Sequence, residues 1–155
     1  IRRKTFIDNG NSYVYTFSTE QQTKSVSFHS GAQPTANQVV GSWTNYCSTN
    51  SSFLALQDFT VVATNVSSLT IQTGGASGTA IRSGTATWAI VYDTKSLTSA
   101  TTTASMNLST GGIGIMVVPV SDINTTTGVI KLFNTSLSAS AGFTITDFTL
   151  VYNNL

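Results

Sequence analysis

The chain has 155 residues but only thirteen charged side chains, 8% of the total, against 21 Ser and 27 Thr; an average soluble domain is roughly 25% charged. With one His and one Cys it can form no intrachain disulfide, and a zinc cluster would lack ligands. The net charge of +1 hides an imbalance. Arg2, Arg3 and Lys4 crowd the start, and beyond them four basic residues face six acidic ones, which argues against a nucleic-acid surface on the folded body.

Eight Phe, five Tyr and two Trp suffice for one buried core and exclude a disordered chain. Thr, Val, Ile, Phe and Tyr dominate while Glu occurs once, so strands are expected nearly throughout. Ile1 reads as the first residue of a fragment or of a processed chain, and Arg2-Arg3-Lys4 as a solvated terminus or a short basic arm. Lys4–Asp8 and Ser12–Ser18 flank Asn9-Gly10, a hairpin signal because Asn-Gly tolerates the positive φ angles of a tight turn. Residues 1–18 are therefore a basic arm and hairpin, a candidate assembly segment, and residues 19–155 a single β-sandwich body.

Val26 and Phe28 predict a strand over Lys24–Ser30, followed by a loop at Gly31–Thr35. Val39–Cys47 reads as the next strand, ended by a polar turn at Ser48–Ser52. Phe53–Thr64 reads as one bent strand or as a short helix running into a strand. Val66–Thr73 is a strand ended by Gly74-Gly75. Thr85–Asp93 alternates most cleanly, with Ala86, Trp88, Ile90 and Tyr92 on one face and Thr85, Thr87, Ala89 and Val91 on the other. Neither face is strongly polar, which predicts a central strand. Thr98–Thr110, low in complexity, reads as a strand or an extended surface loop.

Ile113–Val120 is the longest apolar stretch, far short of the roughly 18 residues that mark a spanning helix. It predicts an inner strand, and Pro119, lacking an N–H, marks an edge or bulge near its end. After a turn at Asn124–Gly128, Val129–Asn134 predicts another strand. Phe143–Tyr152 closes the chain. There Phe143 and Ile145 share one parity, and Phe148, Leu150 and Tyr152 the other. A β-bulge near Thr146-Asp147 would bring the two sets to one side. The total is about ten strands: an all-β, antiparallel two-sheet sandwich of jelly-roll type.

The same inventory limits the chemistry. A Ser-His-Asp triad or a Cys-His dyad would need His29, the dyad with Cys47, and no G-x-S-x-G elbow is present. His29 reads instead as a strand-end histidine, exposed or hydrogen-bonded beside Phe28, and Cys47 as a small buried hydrophobe. Six scattered acids give no signal for a glycosidase pair. Asp122-Ile123-Asn124 comes nearest to a calcium loop and reads better as an Asx-rich turn. No catalytic, cofactor or metal residue is expected, and the chain reads as non-enzymatic. Asn-X-Ser/Thr occurs at Asn50, Asn65, Asn107, Asn124 and Asn134. Sugars stack on exposed aromatics flanked by polar groups. Trp43, Asn45 and Tyr46 are therefore the candidate glycan or receptor contacts, with a core or interface role for Trp43 as the alternative.

Gly31-Ala32-Gln33-Pro34-Thr35, Gly41-Ser42-Trp43-Thr44-Asn45-Tyr46 and Ser51-Ser52-Phe53-Leu54-Ala55 follow one another in an order that resembles β-rich phage virion proteins. These are the tail-fibre, receptor-binding and head-appendage modules. Thr85-Ala86-Thr87-Trp88-Ala89-Ile90-Val91 is similar to one of their strands. Val118-Pro119-Val120-Ser121 followed by Gly128-Val129-Ile130 is similar to another of their phrases. The resemblance covers most of Gly31–Phe133 and includes no catalytic or ligand motif. It implies a structural protein at the virion surface or otherwise extracellular, acting in assembly and host attachment. Its partners would be other virion proteins and a cell-surface glycan. Low charge reduces repulsion between copies, so a homo-oligomer, trimer or lattice, is expected. The alternative is a cellular extracellular filament or adhesin subunit assembled by strand exchange.

Overall fold

The computed structural model describes residues 3–8, 13–18, 23–35, 38–39, 43–46, 50–65, 68–71, 76–92, 115–125 and 129–151. Short β-branched and aromatic runs between Ser, Thr, Asn and Gly clusters become strands: β1 (Arg3–Asp8), β2 (Tyr13–Ser18), β3 (Thr23–His29), β4 (Phe53–Asn65), β5 (Ser68–Ile71), β6 (Ala76–Thr79), β7 (Gly84–Thr85), β8 (Trp88–Tyr92), β9 (Ile115–Asp122), β10 (Ile130–Leu132), β11 (Ser136–Leu137) and β12 (Gly142–Val151). Among the described residues the longest helical element is a 3-10 turn, Trp43–Tyr46. The chain is all-β.

Seven strands pair in a closed ring in the order β9-β10-β12-β5-β4-β3-β8 and back to β9. Every step is antiparallel except β9–β10, which is parallel. Hydrogen bonding thus runs around the ring, where two separate sheets were expected. A ring this small is just wide enough for side chains to fill. Val26, Phe28, Ala55, Ala89, Val118 and Ile130 are among the residues that do so. Phe28 on β3 meets Phe143 on β12 edge to face at 5.4 Å, although two strands separate β3 from β12 along the shorter arc. Phe28 lies opposite Ala55 on one neighbouring strand and Ala89 on the other. Two small residues beside one large ring leave the space into which Phe143 projects. Gly78 faces Phe143 across the β6–β12 ladder, and a Cβ there would come within 3.0 Å of the Phe143 Cζ.

The N-terminal hairpin is present, with Asp8 opposite Tyr13, and continues the ladder of the body, since β2 pairs with β9. One edge of β9 therefore changes partner, from β2 at Ile115–Val117 to β10 at Val120–Asp122. Pro119 occupies the switch. Val120 donates its N–H to Thr87 O on the β8 side at 3.0 Å, while Pro119 O accepts from Val129 N on the β10 side at 3.0 Å. Alternation points the Pro119 nitrogen to the β2/β10 edge, where no ladder bond falls due.

In β12 the bulge expected from parity is found. Lys131 pairs with Asp147 but Leu132 with Ile145, so Thr146 is the extra residue, and its Oγ1 donates to Lys131 O at 3.0 Å. β4 bulges too, with Leu54 the extra residue opposite Phe28/His29; Leu54 O turns away to accept from Ile81 N and Arg82 N. Residues 53–65 form one strand, which resolves that ambiguity in favour of strand. The expected strand at Val39–Cys47 is not found. Gln38 and Val39 are helical, and Trp43–Tyr46 is the 3-10 turn. The cause is a reciprocal cap: Gln38 N donates to Thr35 Oγ1 at 3.1 Å, and Thr35 N to Gln38 Oε1 at 2.8 Å. Thr98–Thr110 lies outside the described residues.

Candidate functional site

The outward side of the ring carries rows of side chains running across β4, β3, β8 and β9. Phe53, His29, Trp88 and Pro119 lie opposite one another in the first row, Leu56, Ser27, Ile90 and Val117 in the second, and Asp58, Ser25 and Tyr92 in the third. An outward face is ordinarily wet. Here Ser25, Ser27, His29, Trp88, Ile90, Tyr92 and Val117 are all sealed, with at most 1% exposure. Ser25–His29 of β3 and all of β8 are thus buried on both sides, which bears out the central position expected for the Trp88 strand.

The aromatic row is tightly ordered. His29 stacks on Trp88 at 4.2 Å and 13°, and meets Phe53 edge-on at 5.3 Å. Tyr46, from the 3-10 turn, meets the other ring of the stack, Trp88, edge-on at 5.5 Å. Trp88 Nε1 donates to Ser30 O at 3.1 Å, which fixes the indole. Thr87 N donates to His29 O, and Ser30 N to Ser52 O, both at 2.9 Å. Arg82 reaches in from the far side, and its Nη1 donates to Asn50 O at 3.0 Å and Phe53 O at 2.9 Å. Gly31 opens the loop after β3 with φ +89°, a conformation that favours glycine.

The sealed face contains a polar chain. Ser27 Oγ lies 2.7 Å from His29 Nε2 and 2.7 Å from Tyr92 OH, and Ser25 Oγ donates to Asp58 Oδ1. On paper a serine hydroxyl at 2.7 Å from an imidazole is the first half of a hydrolase site. Three observations count against that use. Among the described residues His29 Nδ1 has no partner, whereas a triad requires a carboxylate there. Burial holds His29 down from 6.5 to about 3, so the ring is a poor base near neutrality. And neither Ser27 nor His29 is exposed to any degree. With the proton on Nε2, His29 donates to Ser27 and leaves a lone pair at Nδ1, which is cheaper to bury than an unpaired N–H. This is the hydrogen-bonded histidine expected from sequence, set deeper than a strand end suggests.

Of the predicted contact residues, Tyr46 lies against this stack. Asn45 is exposed and Tyr46 half-buried on the Trp88 edge; the Trp43 side chain lies outside the described residues. The structure thus brings Asn45 and Tyr46 to one turn at the rim of the sealed face. Cys47 lies outside the described residues, so the dyad has no geometry to assess. Asp122 forms the Asx turn expected of it: Oδ1 accepts from Asn124 N at 2.9 Å and from Thr125 Oγ1 at 3.0 Å. Asn50 and Asn134 also close Asx turns, accepting from Ser52 N and Ser136 N, both at 2.9 Å. Among the described residues no three His, Cys, Asp or Glu gather, and no helix is long and apolar enough to cross a membrane.

Ser27 and Tyr92 drew no attention as polar site residues in the sequence. The signal was available in the small polar alternation Ser25-Val26-Ser27-Phe28-His29, whose polar set lies on the outward parity. Comparison with known proteins finds no matching family model, curated protein or solved structure.

Proposed function

We propose that the chain is a non-enzymatic structural module of a virion, a phage fibre, appendage or decoration element that assembles with copies of itself and contacts the host surface. The ring of strands would be flattened into two facing layers of jelly-roll type, as the direct Phe28–Phe143 contact across the interior suggests. The observation that carries the reading is how the one imidazole is used. His29 is spent on packing, stacked on Trp88, edge-on to Phe53 and buried, so the group best suited to acid–base work near neutrality has no access to a substrate. What the chain presents instead is hydroxyl- and amide-rich surface with very little charge. That surface suits self-association and neutral contacts better than steering of charged partners. The exposed Asn45 and half-buried Tyr46, with Trp43 in the same turn, are retained as the host-glycan contact of this reading.

In the strand-exchange alternative the hairpin, which here pairs with β9 of its own chain, would pair with the β9 of a neighbour. Immunogold electron microscopy with antibodies raised against the chain tests the proposal on the culture that expresses it. Label at a fixed position on virus particles is the expected result. Label along cellular filaments selects the adhesin alternative, and label confined to the cell interior overturns both.

A further inference from the structure

Phe133, 69% exposed, is the most exposed large apolar side chain among the described residues. One exposed apolar residue is ordinary; the cleft beside it is what gives this one meaning. The cleft holds about 190 Å³, with Phe133 on its rim and the buried Leu137 and Phe143 among the residues lining it. Sites for drug-sized ligands begin at roughly 300 Å³, so this one suits a ligand of a single ring.

Backbone bonds hold the walls in place. Phe133 N donates to Thr144 O at 3.2 Å, Ala141 N to Ser138 O at 3.0 Å, and Ser136 N to Asn134 Oδ1 at 2.9 Å. The walls are therefore fixed without using their hydroxyls. Among the described residues, the hydroxyls of Ser136, Ser138 and Thr144 and the Asn134 Nδ2 make no hydrogen bond. Among the described residues no charged side chain lines the cleft. An exposed aromatic ring beside three free hydroxyls and a free amide matches a neutral ligand with one apolar face and several hydroxyls. A charged ligand would meet no counter-charge and would lose its hydration.

We propose that this cleft is a binding subsite for one neutral pyranose, with the C–H face of the sugar on Phe133 and its hydroxyls on Asn134, Ser136, Ser138 and Thr144. The site is distinct from Trp43, Asn45 and Tyr46, and it stands whether the chain belongs to a virion or to a cell.

Saturation-transfer NMR on the intact chain tests the subsite. The probes are methyl α-D-glucopyranoside, methyl β-D-galactopyranoside and N-acetyl-D-glucosamine, with D-glucuronate as the charged comparison. The expected result is transfer to at least one neutral sugar, strongest on the ring protons of one face, with amide shifts confined to Phe133–Leu137 and Ala141–Thr144. Phe133→Ala should weaken that binding about tenfold, and Ile123→Ala, an equivalent exposed change outside the cleft, should leave it unaltered. The amide shifts in the unaltered chain keep the test decisive if a variant folds poorly. The proposal is overturned by transfer to none of the three neutral sugars, by stronger transfer to glucuronate, or by shifts that map elsewhere. It is equally overturned if Phe133 instead governs self-association in sedimentation, which would give the cleft to a second copy.

Discussion

His29 shows how a single residue can be decided by what covers it. Its neutral form is stacked on Trp88 and bonded to Ser27, and charging it would place an unsolvated cation in the sealed face. The folded-state value near 3 lies below the unfolded value near 6.5, so the unfolded chain binds the proton first. Stability from this residue is complete above pH 6.5 and is lost as pH falls towards 3. By pH 5 the loss amounts to about 2 kcal/mol. Urea unfolding at pH 7 and pH 5 measures it. His29→Phe keeps an aromatic ring in the stack and should remove most of that difference; an unchanged pH dependence would contradict the account. Beside Phe28 the determinant is space. Ala89→Leu places a branched side chain against Phe28 from the neighbouring strand and should cost about 1–3 kcal/mol by the same assay.

At the scale of elements, the extra residue in β12 carries a sharper prediction. Thr146→Ala removes one exposed hydrogen bond to Lys131 O and should cost at most about 1 kcal/mol. Deleting Thr146 itself leaves Lys131–Asp147 and Leu132–Ile145 as consecutive pairs and keeps the register, whereas deleting Thr144 puts Phe143 on the opposite parity and out of step with β6. The Thr144 deletion should cost more than about 3 kcal/mol in a thermal or urea melt, and the Thr146 deletion clearly less. Equal effects of the two deletions would mean that Thr146 is not the residue that absorbs the change of register. This bulge was legible from parity alone, because Phe143 and Ile145 conflict with Phe148, Leu150 and Tyr152. The helical turn at Gln38 was legible too, in Thr35-x-x-Gln38, but the adjacent Val39-Val40 pointed to a strand and local capping prevailed. Pro119 was legible as a ladder defect. Its place at a change of partner was not, since β2 and β10 come from opposite ends of the chain.

For the whole molecule, strand content could be read from composition and alternation, whereas closure of the ring could not. Which edge of β9 meets β8, and that β10 joins it in parallel, are settled by contacts between distant segments that no local pattern encodes. Burial of the outward side of β3 and β8 was hidden too: Ser25, Ser27 and His29 carry a polar pattern normally turned to water, yet all three are fully buried. The candidate contacts fared unevenly. Asn45 and Tyr46 were singled out as contacts but read as part of a strand, where the structure has a 3-10 turn, and the Phe133 cleft was not legible at all, because Phe133 falls just beyond β10 in a pattern that reads as its continuation. With thirteen charges on the chain and its imidazole sealed, the function proposed above is contact between copies and with a surface. Sedimentation equilibrium of the purified chain at low and high salt tests this most directly. The account predicts a closed assembly of fixed stoichiometry whose affinity changes little with salt, whereas a chain that stays monomeric up to submillimolar concentration would contradict it.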